Sequence, residues 1–298
     1  MAILVSEMSR VLVQGLTGSA GQNFAENMRL TGTNLVAGVR PGRGGTRAQG
    51  VPVYDTVAEA VRATGATASV IAVPAGVAAE AAGEAIRAGI ELAIIYAEGV
   101  AVHDALRLRA LRAGQRCVIV GPNSAGVMSP GIANLSDMRT VPMVAGPVGL
   151  ISKSGTLTYE VISDLAVAGL GISTVMCVGG DPVVGTTPAD AVRMFMADEA
   201  TEVVVLLGEP GGGIEIEAAR QWAAAGRPIP LVALIVGQAL PPGREFGHAG
   251  AVARRAGESA ADKMASLSAL GAHVVPSLAA VPLAVQNALG RPITKGRP

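Results

Sequence analysis

The chain has 298 residues, 50% of them hydrophobic and only 2% aromatic, and a formal net charge of zero. That supports one large or two medium domains with cores of Ala, Val, Leu and Ile, and it argues against a nucleic-acid partner, which needs a basic stripe or stacking platforms. No run of about 18 apolar residues occurs, and the N-terminal MAILVSEMSRVLVQG lacks a charged stretch followed by a sustained apolar core, so a soluble protein of the cytoplasm or the equivalent matrix, without a membrane partner, is expected.

From Arg10 onward, short branched-apolar runs alternate with Ala-rich segments of helical period, and Gly, Pro or Asn marks each junction. This is the pattern of a parallel α/β sheet. Strands are predicted at Val11–Leu16, Asn34–Val39, Ser69–Val73, Ala93–Tyr96 and Cys117–Val120, with helices over Val57–Ala63, Val77–Ala88 and Asp104–Ala113. The alternation lapses after Gly121-Pro122-Asn123, and the stretch to residue 147 reads as a domain crossing. A second series follows, with strands near Val148–Ser152, Ile172–Val178, Val203–Leu207, Leu231–Val236 and His273–Val275. Its helices are predicted near Leu157–Ala168, Ala189–Met196, Ile216–Ala225, Ala261–Leu270 and Leu278–Leu289. The halves share an architecture without a sequence repeat. The two cysteines, Cys117 and Cys177, fall inside apolar runs as core thiols, and neither a metal-ligand spacing nor a disulfide framework is present.

Gln14-Gly-Leu-Thr-Gly-Ser-Ala-Gly21 follows the first strand and opens a helix, so its backbone N–H groups can hold a phosphate. The spacing is G-x-x-G-x-x-G, an imperfect dinucleotide fingerprint. The second strand ends not in Asp or Glu but in Val39-Arg40-Pro-Gly-Arg43. Two arginines there favour a nucleotide with an extra ribose phosphate, which admits NADP or coenzyme A.

Four strand ends in the second half carry residues capable of chemistry. Ser152-Lys-Ser-Gly-Thr-Leu-Thr-Tyr-Glu160 starts a helix, and Ser154, Gly155 and Thr156 form a phosphate cradle there from hydroxyls and unpaired amides. Gly179-Gly-Asp-Pro182 and Gly208-Glu-Pro-Gly211 follow the next two strands. The fourth strand, Leu231–Gly237, leads to Gly247-His-Ala-Gly250, a glycine-bordered loop holding one of only three histidines. A neutral imidazole accepts a phosphoryl group through one nitrogen while a carboxylate holds the other, so His248 is the candidate acceptor and Glu209 its support.

These residues resemble the succinyl-CoA synthetase α-subunit family and its relatives among the acid-CoA ligases. The resemblance runs through QGLTGSAG at Gln14, VRPGRGG at Val39, TGATASVIAVPA at Thr64, GPNSAG at Gly121, ISKSGTLTYE at Ile151, VGGDP at Val178, GEPGG at Gly208 and GHAGA at Gly247. It implies a Rossmann-like CoA-binding domain over residues 1–123, a crossing over 124–147, and a flavodoxin-like ligase domain with a phosphohistidine loop over 148–298. It implies that Thr17, Gly18, Ser19, Ala20, Arg43, Tyr96, Ala97 and Glu98 contact coenzyme A, that Tyr159 meets the carboxylate substrate, and that His248 with Glu209 is catalytic. It implies a heterodimer: ATP or GTP with Mg is bound mainly by a separate ATP-grasp β subunit, in αβ or (αβ)2 form. Succinate is the default acid of this tricarboxylic-acid-cycle chemistry, with malate and citrate as alternatives, or a non-catalytic CoA-binding paralogue. An NADP oxidoreductase is disfavoured by the glycine spacing. The chain departs from the family pattern at Arg43, Ser124, Ala125, Pro210 and residues 132–147.

Overall fold

The computed structural model describes residues 2–138, 143–239, 248 and 251–290. The chain divides into two compact units: one of Leu4–Arg139 with Asp181–Thr186, the other of Met1–Ile3, Thr140–Gly180 and Thr187–Pro298.

The N-terminal unit runs β1 (Val11–Gln14), α1 (Ser19–Thr31), β2 (Leu35–Val39), β3 (Arg47–Ala48), β4 (Val51–Tyr54), α2 (Val57–Thr64), β5 (Ala68–Ile71), α3 (Ala75–Arg87), β6 (Leu92–Ile95), α4 (Val102–Arg112) and β7 (Val118–Val120). The order across its sheet is β3-β4-β2-β1-β5-β6-β7. Apart from β3, which runs antiparallel to β4, these strands are parallel. Counting only the parallel strands, this is the 3-2-1-4-5-6 order of the dinucleotide-binding fold, whose ligand crevice opens between β1 and β5. Short apolar strands buried on both faces explain the pattern, and the helices lie close because they present Ala. Ala78 and Ala82 of α3 pack with Ile71, Ala93, Ile95 and Ile119 of the sheet, one helical face spaced at i and i+4.

Next come β8 (Gly126–Ser129) and β9 (Ala133–Ser136), an antiparallel hairpin. The expected crossing over residues 124–147 is therefore corrected at its start. Its first part belongs to the N-terminal unit, because Asn27 of α1 donates to the Ser136 carbonyl at 2.9 Å and Thr33 accepts from the Asn134 amide at 2.8 Å. Residues 139–142 of that segment lie outside the described residues. Asp181–Thr186 also joins this unit, through Gly185 N to the Gly121 carbonyl and Thr186 Oγ1 to the Ile119 carbonyl.

The C-terminal unit contains β10 (Ala145–Ser152), α5 (Gly155–Val167), β11 (Ile172–Cys177), α6 (Pro188–Met196), β12 (Val203–Gly208), α7 (Ile214–Ala224), β13 (Leu231–Ile235), α8 (Ala260–Ala269), β14 (His273–Val274), a 3-10 turn at Leu278–Ala280 and α9 (Val281–Ala288). Its strands are parallel in the order β14-β13-β12-β10-β11, the 2-1-3-4-5 order of flavodoxin-like sheets. Ile3, at the other end of the chain, joins this unit by donating from its amide to Thr174 Oγ1 at 3.2 Å. No helix among the described residues is long and apolar enough to cross a membrane.

Candidate functional site

In the C-terminal unit, Ser152 pairs with Cys177 on one side and Leu207 on the other, and Gly208 pairs with Ile235. The C-terminal ends of β11, β10, β12 and β13 therefore share one edge. Lys153, Gly180 and Glu209 stand just past three of these ends, and His248 follows the fourth. Gly247, Ala249 and Gly250 of the histidine loop lie outside the described residues.

His248 and Glu209 meet as expected: Nδ1 is 2.8 Å from Glu209 Oε2. Burial pushes the Glu209 carboxyl up, but the His248 hydrogen bond and the Lys153 ammonium outweigh it and hold the group below the ordinary carboxylate range. An ionised carboxylate can only accept, so the shared hydrogen belongs to Nδ1, and a neutral His248 ring carries its lone pair on Nε2. The ring lies against Gly180, where a Cβ would fall 2.8 Å from both its Cγ and its Nδ1.

Three buried charges beside this pair were missed in the sequence. Lys153 Nζ lies 2.8 Å from Glu209 Oε1 and 3.9 Å from Glu215 Oε1. The closer contact is an ion pair without hydrogen-bond angles, since Oε1 has no hydrogen-bond partner among the described residues. Lys263, fully buried, donates to Glu215 and to the carbonyls of Glu209 and Gly211 at 2.7 and 2.8 Å. Burial pulls its ammonium below the usual lysine range, against the pull of Glu215. Gly208 makes room for this cluster, because a Cβ there would fall 2.8 Å from Glu215 Cγ. In the sequence, Lys263 and Glu215 sit among helix-forming residues, with no motif to set them apart.

Ser154 caps α5 and its hydroxyl accepts from Leu157 N at 3.4 Å. That hydroxyl is thus engaged, and the first-turn amides of Gly155 and Thr156 are the groups without intrahelical acceptors. Tyr159 sits half-buried on the same helix. Asp181, of the Gly-Gly-Asp-Pro loop, instead accepts from the Gly99 and Val100 amides at 3.1–3.3 Å in the N-terminal unit.

At the β1/β5 switch point of the N-terminal unit lies a cavity of about 520 Å³, lined by Gly15, Thr17, Gly18, Arg40, Val73 and Pro74 among others. Helix α1 opens on Gly18 with no side-chain cap, which leaves its first amides to an anion. Gly15 has φ of +81°, and a Cβ on it would lie 2.5 Å from the Ala72 carbonyl oxygen. Only glycine lets this loop lie so close to the β5 end. Thr17 and Gly18 line the cavity and Ser19 begins α1, with Ala20 next. Tyr96, Ala97 and Glu98 follow β6 at the same sheet edge but do not line it. The Tyr96 ring meets Phe24 edge-on at 5.2 Å, and burial together with Asp137 pushes its phenol up.

The guanidinium at this cavity is Arg40, which donates to Thr17 Oγ1. Arg43, singled out from the sequence, is exposed and is not among the lining residues. Its amide and that of Gly44 bind Asp55 at 3.0 and 2.8 Å. Arg40→Ala should therefore weaken CoA binding about tenfold, near the low end expected for a hydrogen bond to a charged group, and more than Arg43→Ala does. Calorimetry on both variants reads the order, and a larger loss at Arg43 returns the role to that residue. Ser124, where the family pattern differs, is buried and accepts from Gly126 N at 3.0 Å.

Residues 6–99 match the family described as CoA binding domain, and residues 151–273 match the CoA-ligase family. The chain is 45% identical over 276 residues to a succinate–CoA ligase [ADP-forming] subunit alpha 2 of Archaeoglobus fulgidus, covering 92% of this chain and 95% of the relative. It is 40% identical to a malate–CoA ligase subunit alpha of Methylorubrum extorquens, covering 98% and 99%. Among solved structures, ATP citrate lyase from Methanothrix soehngenii, in complex with citrate and coenzyme A, aligns with a TM-score of 0.86 at 24% identity. That alignment covers 99% of this chain and 53% of the other, and it shows a common fold.

Proposed function

This chain belongs to the succinate–CoA ligase α-subunit family, and we propose that it is the α subunit of an acid-thiol ligase that forms succinyl-CoA or a related small dicarboxylate thioester through a phosphohistidine at His248. The observation that carries this reading is the 2.8 Å contact of His248 Nδ1 with a buried, ionised Glu209. With Nδ1–H held, Nε2 attacks the terminal phosphorus of ATP or GTP, and the P–O bond to the nucleoside diphosphate breaks. Glu209 balances the positive charge that develops on the ring. The phosphoryl oxygens face the cradle of Ser154, Gly155 and Thr156, with helix-terminal amides as donors. A carboxylate oxygen of the acid, oriented by Tyr159, then takes the phosphoryl group as the P–N bond returns its electrons to Nε2.

The residues of the N-terminal cavity fit coenzyme A: an uncapped helix start, glycines at closest approach, and an arginine. When bound, coenzyme A supplies the thiol that displaces phosphate from the acyl group. Thr17, Gly18, Ser19 and Ala20 would hold its phosphates with Arg40 and Arg43, and Tyr96, Ala97 and Glu98 would hold its remainder. The partner is an ATP-grasp β subunit, in αβ or (αβ)2 form, and the complex works in the cytoplasm with Mg and nucleotide mainly on the partner. The similarity to the malate–CoA ligase subunit keeps malate beside succinate as the acid.

The test is a thioester assay on the α chain co-expressed with its β partner, given ATP or GTP and a panel of succinate, malate and citrate. One acid should be turned over. Coenzyme A, and not NADP, should raise the melting temperature of the α chain. No turnover with any acid and no label on His248 would make the non-catalytic paralogue the better reading. Tyr159→Phe should raise KM for the preferred acid and leave His248 labelling intact, since the label forms before the acid reacts. Unchanged kinetics in that variant would remove Tyr159 from the acid site.

A further inference from the structure

The ammonium of Lys153 differs from that of Lys263 in what it touches. Lys263 binds two backbone carbonyls as well as Glu215, and so ties the loop after β12 to α7 and α8. Among the described residues, the polar contacts of the Lys153 ammonium are to carboxylates, Glu209 at 2.8 Å and Glu215 at 3.9 Å. Lys153, Glu209, Glu215 and Lys263 are each buried and together carry two positive and two negative charges. Glu258, before α8, accepts from the Arg254 and Arg255 amides at 2.8 and 3.1 Å. The imidazole of His248 is thus appended, through Glu209, to a buried group of two lysines and two glutamates.

We propose that Lys153 is a positioning residue for His248: by sharing the Glu209 carboxylate, it keeps that carboxylate from drawing a second proton onto the imidazole. The proposal rests on reading His248 as the phosphoryl acceptor, and it assigns to Lys153 a role that the acceptor reading does not require. Without an ammonium on Oε1, the full charge of Glu209 would face the ring and favour imidazolium, which has no lone pair to attack phosphorus. The same loss of charge would raise the carboxyl of Glu209 itself. Removing Lys153 therefore shifts the acceptor's working range to higher pH, whereas a purely structural loss lowers activity at every pH.

The experiment uses the full chain labelled with 15N-histidine, in wild-type, Lys153→Met and Lys153→Arg forms. NMR titration follows His248 separately from His103 and His273. In Lys153→Met the His248 ring should bind its proton about tenfold more tightly, one pKa unit, and in Lys153→Arg within about twofold of wild type. In the complex with the β partner, labelling of Lys153→Met at pH 7 should fall about three- to fivefold, since a ring that is largely neutral in the wild type loses less than the full tenfold of a one-unit shift, and it should recover as pH rises. A Lys153→Met chain whose His248 titrates as wild type overturns the proposal, and so does a loss of label that is equal at all pH values. If Lys153→Met does not fold, Lys153→Arg decides: a folded variant that loses the label throughout the pH range also overturns it. A wild-type complex that never labels His248 refutes the acceptor reading alone, because the titration still reports on Lys153.

Discussion

Incubated with the β partner and labelled ATP or GTP, the His248→Asn chain should acquire no acid-labile, base-stable phosphate, while the wild-type chain does. That stability pattern is the one expected of a nitrogen-bound phosphoryl group. Asparagine keeps a polar side chain at a partly exposed position, so the fold should persist and the loss should be one of chemistry. Glu209→Gln is the more informative companion. The amide oxygen can still accept from Nδ1–H, but it cannot balance the charge that develops on the ring. Replacing a hydrogen bond to a charged group, about 1.5–3 kcal/mol, by a neutral one, about 0.5–1.5 kcal/mol, removes about 1–1.5 kcal/mol, a rate roughly 5- to 12-fold slower. The sign of the pH effect follows from the depressed carboxyl of Glu209. Its interaction is present above the unfolded-state value and is lost only as pH falls through the lower folded-state value. The carboxylate should therefore remain ionised through the ordinary carboxylate range, and labelling should not fail there on its account. A label that survives His248→Asn would show that the phosphoryl group sits elsewhere.

Much of this was legible in the sequence because parallel strands buried on both faces must be short apolar runs, and Leu231–Ile235 or Val203–Gly208 can be little else. Strand ends then dictate the site, since a parallel sheet brings all its C-terminal ends to one edge. That is why Glu209 could be paired with His248 across 39 residues of chain. What hid was structure without apolar alternation. The hairpin β8/β9 is an antiparallel backbone pairing of two four-residue strands, and polar residues such as Asn134 and Ser136, which bond each other within β9 at 2.6 Å, look like those of a connector. Lys153, Glu215 and Lys263 were hidden for the opposite reason. Charged residues in helices and loops ordinarily face water, and only the three-dimensional arrangement reveals that these satisfy one another inside. At the cavity, the sequence offered two arginines three residues apart, and the direction of the loop after β2 distinguishes them.

Gly180→Ala should reduce phosphoryl labelling of His248 about 100-fold while leaving the melting temperature within a few degrees of wild type. A Cβ at this position would stand 2.8 Å from Cγ and Nδ1 of the imidazole and 3.0 Å from Cδ2. These are atoms of a rigid ring and not the far end of a flexible chain, so the whole ring must move away. Its Nδ1 is already fixed at 2.8 Å from Glu209, which is buried and held by Lys153. The ring cannot satisfy both contacts, and a displacement of about 1 Å at a reacting group costs on the order of 10²-fold in rate. Stability should change little, because Gly180 is not among the residues with positive φ and alanine fits its backbone. Gly179, with φ of +111°, is the contrasting position. Gly179→Ala introduces backbone strain of about 1–3 kcal/mol and should lower the melting temperature visibly. Thermal unfolding and labelling measured on both variants separate the two effects. A Gly180→Ala chain labelled at the wild-type rate would mean that the ring does not rest on Gly180 when it takes the phosphoryl group.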